Sequence, residues 1–169
     1  MGLNNVADGS TGSTWEFGSG WPLRLSLERS LGNGASLGVQ TTYMRVPLVY
    51  VSNGSCADCN AHATVATYGP VLRIGGGRTF YQAFEFFAGV MQYGNFTDDA
   101  GGATLPPTSP NRDFAFSVGY GFGYALGRDM ALELMSSYLD AVHERTNLPG
   151  NARTLIQHTT FMLGFRLGL

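Results

Sequence analysis

Residues Phe114–Leu126 read FAFSVGYGFGYAL. Phe114, Phe116, Val118, Tyr120, Phe122, Tyr124 and Leu126 occupy one phase of a two-residue period. Ala115, Ser117, Gly119, Gly121, Gly123 and Ala125 occupy the other. Side chains of a β-strand point alternately to opposite faces, whereas a helix groups residues three and four apart. The stretch is therefore a strand with one face of rings and aliphatics and one face of nearly nothing.

The same period runs through the rest of the chain. Beyond a tight turn at Gly127–Asp129, Leu132, Leu134, Ser136 and Tyr138 alternate with Ala131, Glu133, Met135 and Ser137 over Met130–Val142. The loop HERTNLPGNAR leads to a last strand, Thr154–Leu169. Upstream, alternating segments are predicted over Trp15–Leu27, Ala35–Tyr50, Ala63–Ile74 and Thr79–Gly94. Tight turns are expected at SLGNGA (Ser30–Ala35) and GGGR (Gly75–Arg78), where glycine and asparagine take positive φ at little cost. Longer loops are expected around Ser52–Asn60 and across the segment with Asp98, Asp99, Pro106, Pro107 and Pro110. Tight and long connections thus alternate, which is the pattern of an up-and-down antiparallel sheet.

Composition narrows the class. Charged residues make up 13% of the 169 residues, roughly half the share usual in a soluble domain. The formal net charge of −2 offers no basic field for nucleic acid. No apolar run approaches the roughly 20 residues of a membrane-spanning helix. A membrane barrel needs only about 9–11 residues per strand, alternating in polarity.

Two kinds of barrel are built from such strands. A soluble lipocalin-like barrel turns its aliphatic phase inward; a membrane barrel turns it outward. Within the predicted strands Glu16, Arg24, Glu28, Arg73, Glu85, Asp113, Glu133 and Arg166 lie on the non-aromatic phase. Arg29, Arg45, Asp140 and Arg153, on the aromatic phase, are expected at strand ends. An Arg at the bilayer midplane costs about 2–4 kcal/mol, so this sorting has a cause. The Ala–Ser–Gly phase would make a poor solvent surface and a good lining for a narrow lumen, in which large side chains from neighbouring strands need room. The expectation is an all-β, antiparallel up-and-down transmembrane β-barrel of the eight-stranded type, one domain over residues 1–169. Trp21, Tyr43, Tyr93, Phe114 and Tyr138 are expected in an outer aromatic girdle, and Phe80, Tyr124 and Phe165 in an inner one.

Seven strands are visible, whereas bacterial barrels close with an even number. The start, MGLNNVADGSTGST, has loop composition, and residues 1–14 are expected to form an extracellular loop. It lacks the cationic head and apolar stretch of an export signal. The expectation is that an N-terminal strand is missing together with that signal; the alternative is a short strand at Leu3–Ala7. Cys56 and Cys59, as CADC, are the only cysteines. A local disulfide in an oxidising compartment, free thiols and half a metal site are all open to them, and only His62 is near as a further ligand.

At the C-terminus Phe161, Leu163, Phe165, Leu167 and Leu169 alternate to the end, with Gly164 five residues before it. This resembles the terminal strand of outer-membrane β-barrel proteins, and implies recognition by the barrel-insertion machinery. Leu169 stands where that family usually ends in Phe, and Met162 where a polar residue is common. Over most of the chain the pattern resembles the small OmpA/OmpX-type eight-stranded barrels, which implies a bacterial outer-membrane location with outer-membrane lipid as surroundings.

The function expected is a structural or surface-interaction role, with outward loops and a filled lumen. Arg24, Glu28, Arg73, Glu85, Glu133 and Arg166 are expected to point into that lumen as a paired network, because buried charge requires partners. The alternatives are a small-solute or hydrophobic-molecule channel, with Pro22, Pro47 and Pro70 as candidate breaks in strand pairing, and a soluble lipocalin-like ligand binder. An enzyme is not expected. Nucleophilic catalysis needs a Ser beside a His with an orienting acid, and His62, His143, His158, Asp98, Asp99, Ser136 and Ser137 show no such spacing. No cofactor or metal is called for.

Overall fold

A computed structural model describes residues 6–8, 12–52, 56–75, 79–127, 130–143 and 154–167. Among the described residues nine strands make one antiparallel sheet: β1 (Val6–Asp8), β2 (Ser13–Phe17), β3 (Leu23–Gly32), β4 (Ala35–Ser52), β5 (Cys56–Gly75), β6 (Phe80–Asp98), β7 (Asn111–Ala125), β8 (Met130–His143) and β9 (Thr154–Leu167). Consecutive strands pair from β4 to β9. β2 and β3 both pair with β4, one above the other, and β1 pairs with β2. The sheet curls into a half-barrel of up-and-down topology. The turn between Gly32 and Ala35 lies at one end, here called the lower, and the 99–110 loop at the upper.

The orientation of the faces follows the alternation. Phe114, Phe116, Val118, Tyr120, Phe122, Tyr124 and Leu126 are exposed on the convex side, whereas Ala115, Ser117, Arg73, Glu85 and Glu133 are buried on the concave side. The small phase of β7 accommodates its neighbours. A Cβ on Gly123 would lie 2.2 Å from the Tyr81 ring, and one on Gly121 would lie 2.3 Å from Met135 Sδ.

Several readings of the sequence are corrected. Trp15–Leu27 is not one strand. From Phe17 to Leu23 six steps of chain oppose five steps of β4, Leu48 to Tyr43. That one-residue surplus, in the Gly18–Pro22 detour, inverts the faces. Trp15 and Phe17 therefore point into the core and Glu16 outward, while Leu23, Leu25 and Leu27 remain outside. Pro22 lies in this detour and Pro47 beside it, where Gly18 N donates to the Pro47 carbonyl at 2.7 Å. The detour presses close to β4: a Cβ on Gly20 would come 2.9 Å from the Arg45 carbonyl oxygen.

Residues 1–14 are not all loop, since Val6–Asp8 and Ser13–Thr14 are in strands. Of the expected loop at Ser52–Asn60, Ser52 belongs to β4 and Cys56–Asn60 to β5, while residues 53–55 lie outside the described residues. β4 runs on to Ser52, so Arg45 lies within a strand rather than at its end. Tyr93 is buried, not in a girdle. A bulge at Asn95, with φ of 54°, turns Phe96 inward as well.

Candidate functional site

The concave side has two storeys. In the lower one, Arg73 and Glu85 are direct cross-strand partners on β5 and β6, and Arg73 Nη2 donates to Glu85 Oε2 at 2.9 Å. Arg73 Nη1 also pairs with Glu133 of β8, and its Nε lies 3.8 Å from Glu28 Oε2 of β3. Arg24 of β3 reaches Glu85 Oε1 at 2.6 Å and donates to Ser137 Oγ of β8 at 3.2 Å. Tyr81 donates to Glu133 Oε1 at 2.6 Å, and Ser36 to Glu28 Oε2 at 2.6 Å. Alternation places each group at its height, and curvature brings groups from five strands within reach. Five of the six residues expected in the network thus meet. Arg166 pairs through its backbone with Ala131, and its side chain lies outside the described residues.

Tyr81, Ser137 and Ser36 are members that sequence reasoning missed. The signal was weak, since only their inward phase marked them. With several oxygens on each guanidinium, the network braces β3, β5, β6 and β8 against one another, beside a cavity of about 750 Å³ that Arg24, Glu28, Arg73 and Glu133 help to line.

The upper storey is apolar. Trp15, Phe17, Met44, Val46, Leu48, Tyr50, Met91, Tyr93 and Phe96 are buried together. Trp15 packs 4.5 Å from Phe96 and 5.7 Å from Tyr93, centroid to centroid. At its rim Tyr93 donates to Asp113, and His143 Nδ1 lies 2.9 Å from the same carboxylate. Outside this storey the surface is polar: Arg45 meets His62 Nε2 at 2.5 Å, and His62 Nδ1 meets Asp99 Oδ1 at 2.6 Å. The protein therefore reverses its polarity along its length. Below, Arg24, Arg73, Glu85 and Glu133 are inside and apolar groups outside, with Arg29 exposed near the lower turn; above, apolar groups are inside, with Asp113 and His143 at their rim, and Arg45, His62 and Asp99 are outside. The sequence carried this in β4, whose inward phase changes from Ser36, Gly38, Gln40 and Thr42 to Met44, Val46, Leu48 and Tyr50.

The residues weighed for catalysis are dispersed. His62 and Asp99 meet on the outer surface, and His143 and Asp113 in the upper core. Ser137 is six residues below His143 on the same strand, about 20 Å away at a strand's rise. Asp98 holds its own loop, accepting from Ala100 N at 3.1 Å and Gly101 N at 3.0 Å. His158 is buried, 3.4 Å from Thr160 Oγ1. Cys59 is disulfide-bonded and pairs with Tyr50 across the sheet; the side chain of Cys56 lies outside the described residues.

Of the expected insertion signal, Phe161, Leu163 and Phe165 are exposed in β9 with Gly164 among them. Leu167 is described only in its backbone, and Leu169 falls outside the described residues. No protein-family model matches the chain, and no curated protein or solved structure matches it.

Proposed function

We propose that this chain is an integral membrane β-barrel protein of a bacterial outer membrane, of the small OmpA/OmpX-like kind, with a structural or surface-interaction role. The observation that carries this reading is the polarity reversal. A belt of exposed Leu, Val, Phe and Tyr encircles the lower part, on strands whose opposite face is charged. Such a belt far exceeds the apolar patches that soluble monomers expose, and it suits lipid, which favours rings and aliphatics over ions. The upper part, with an apolar core and Arg45, His62, Asp99 and Glu16 outside, suits water. Trp21 and Tyr43, exposed at the junction, suit the interfacial level.

The packed rings of the upper storey support a non-conducting role. Ion pairs occupy the lower part of the lumen and packed rings its upper part, so recognition of any surface partner falls to the upper loops. A soluble lipocalin-like binder is disfavoured by the outward aromatic face, and a channel by the packing.

Two measurements test this. The protein is expected to sediment with membranes, resist extraction by carbonate and come out with detergent. In planar bilayers it is expected to give no stable single-channel steps. A monodisperse protein in detergent-free buffer would overturn the membrane reading, and reproducible conductance steps would replace the structural role with a pore.

A further inference from the structure

Among the described residues β3 and β9 are edge strands of the half-barrel, and their directions are informative. β3 and β9 face one another across a cavity of about 750 Å³ lined by Trp21, Leu25, Glu28, Phe161 and Leu163 among others. Every consecutive pairing in the sheet is antiparallel. Counting from β3 through β4 to β9, the two edges therefore run the same way. They cannot close on each other in an antiparallel ladder, whereas one strand running opposite to both completes it.

β1 shows where that strand belongs. It pairs with β2 on the side away from β4, and runs antiparallel to it. β2 stands directly above β3 along β4, so β1 occupies the upper end of the vacant strand position and points in the required direction. A segment rising between β3 and β9 would pass into β1 from its N-terminal side. A second copy of the chain in the same membrane orientation could offer only edges parallel to these.

We infer that the cleft between β3 and β9 is a strand acceptor, and that its occupant is an extended polypeptide segment joined to the N-terminal side of β1. The segment pairs with both edges over about ten residues, the length of a membrane-spanning strand. Its apolar side chains alternate toward Leu23, Leu25 and Leu27 on one side and Phe161, Leu163 and Phe165 on the other, continuing the outer belt. Its inward side chains are small or polar, over Arg24 and Glu28. The driving force rests on the membrane reading, because an unpaired backbone group in hydrocarbon costs several kcal/mol; the strand directions do not.

The test places an alternating apolar/small segment of about twelve residues ahead of Met1 in the full chain, refolded in detergent micelles. Two controls carry the same segment shifted by one residue and the same segment appended after Leu169. Hydrogen exchange is read on β3 and on residues 161–167, against β6 and β7 in the same sample. The in-phase N-terminal segment is expected to slow exchange at both edges by roughly tenfold, as newly made hydrogen bonds require. Equal protection by the shifted segment, or edges already protected without any addition, would overturn the acceptor, and equal protection by the C-terminal segment would overturn the attachment through β1. Failure of the membrane reading would appear separately, as solubility without detergent.

Discussion

Glu85 and Arg73 stand directly opposite each other across β5 and β6, and the Glu85 carboxylate is fully buried with guanidinium nitrogen 2.9 Å from its Oε2. Its other oxygen is held by Arg24 from the far side of the lumen at 2.6 Å. One carboxylate thus joins two strands that are not neighbours.

Glu85→Ala should leave two buried cations short of a partner. Breaking a buried pair in this way costs about 3–5 kcal/mol, whereas replacing both partners by apolar groups of similar size is often close to neutral. Urea unfolding in phospholipid vesicles is expected to show a large loss for Glu85→Ala and a much smaller one for the double variant Arg73→Met, Glu85→Met. Near-wild-type stability of Glu85→Ala would mean that water solvates these charges.

Gly123→Ala should be destabilising because its methyl would enter the Tyr81 ring, whose hydroxyl holds Glu133. Overpacking of this kind costs about 1–3 kcal/mol. Combining it with Tyr81→Ala should be less than additive, since the clash is then gone. Strict additivity in the unfolding midpoints would show that the two side chains do not meet.

Val118→Arg places a cation on the convex face of β7, in the exposed belt. If lipid covers this face, folding in vesicles should weaken by about 2–4 kcal/mol. A soluble protein would tolerate the change within about 0.5 kcal/mol, so a two-way comparison of vesicle and detergent-free samples discriminates the readings.

Removing Ser19 should cancel the extra residue between Phe17 and Leu23 and invert the face of everything above it. In a Trp21→Phe background, Trp15 is the only tryptophan and is 0% exposed, against 96% for Trp21. Its fluorescence should be insensitive to aqueous and lipid-borne quenchers in the parent and quenched in the deletion variant. Unchanged protection of Trp15 would mean that the detour does not set the phase.

The lower half of the protein was legible because its alternation is local. In Phe114–Leu126 and in Met130–Tyr138, each side chain's face follows from its neighbour's, and charge separates cleanly from rings. Arg24, Arg73, Glu85 and Glu133 could be assigned inward on that ground alone. Their partners could not, since the meeting of Arg24 with Glu85 and Ser137 depends on the curvature of the whole sheet.

What the sequence determined by itself was the strand period, the turns at Gly32–Gly34 and Gly127, and the sorting of ions from rings, all of which are properties of adjacent residues. Only the tertiary structure decided that Trp15 and Phe17 face inward, that Tyr93 and Phe96 do so together, and that β3 and β9 are left apart and parallel. Each of these turns on a register across strands. A single surplus residue opposite a partner strand reverses every side chain beyond it, and nothing in the local pattern counts the partner's residues.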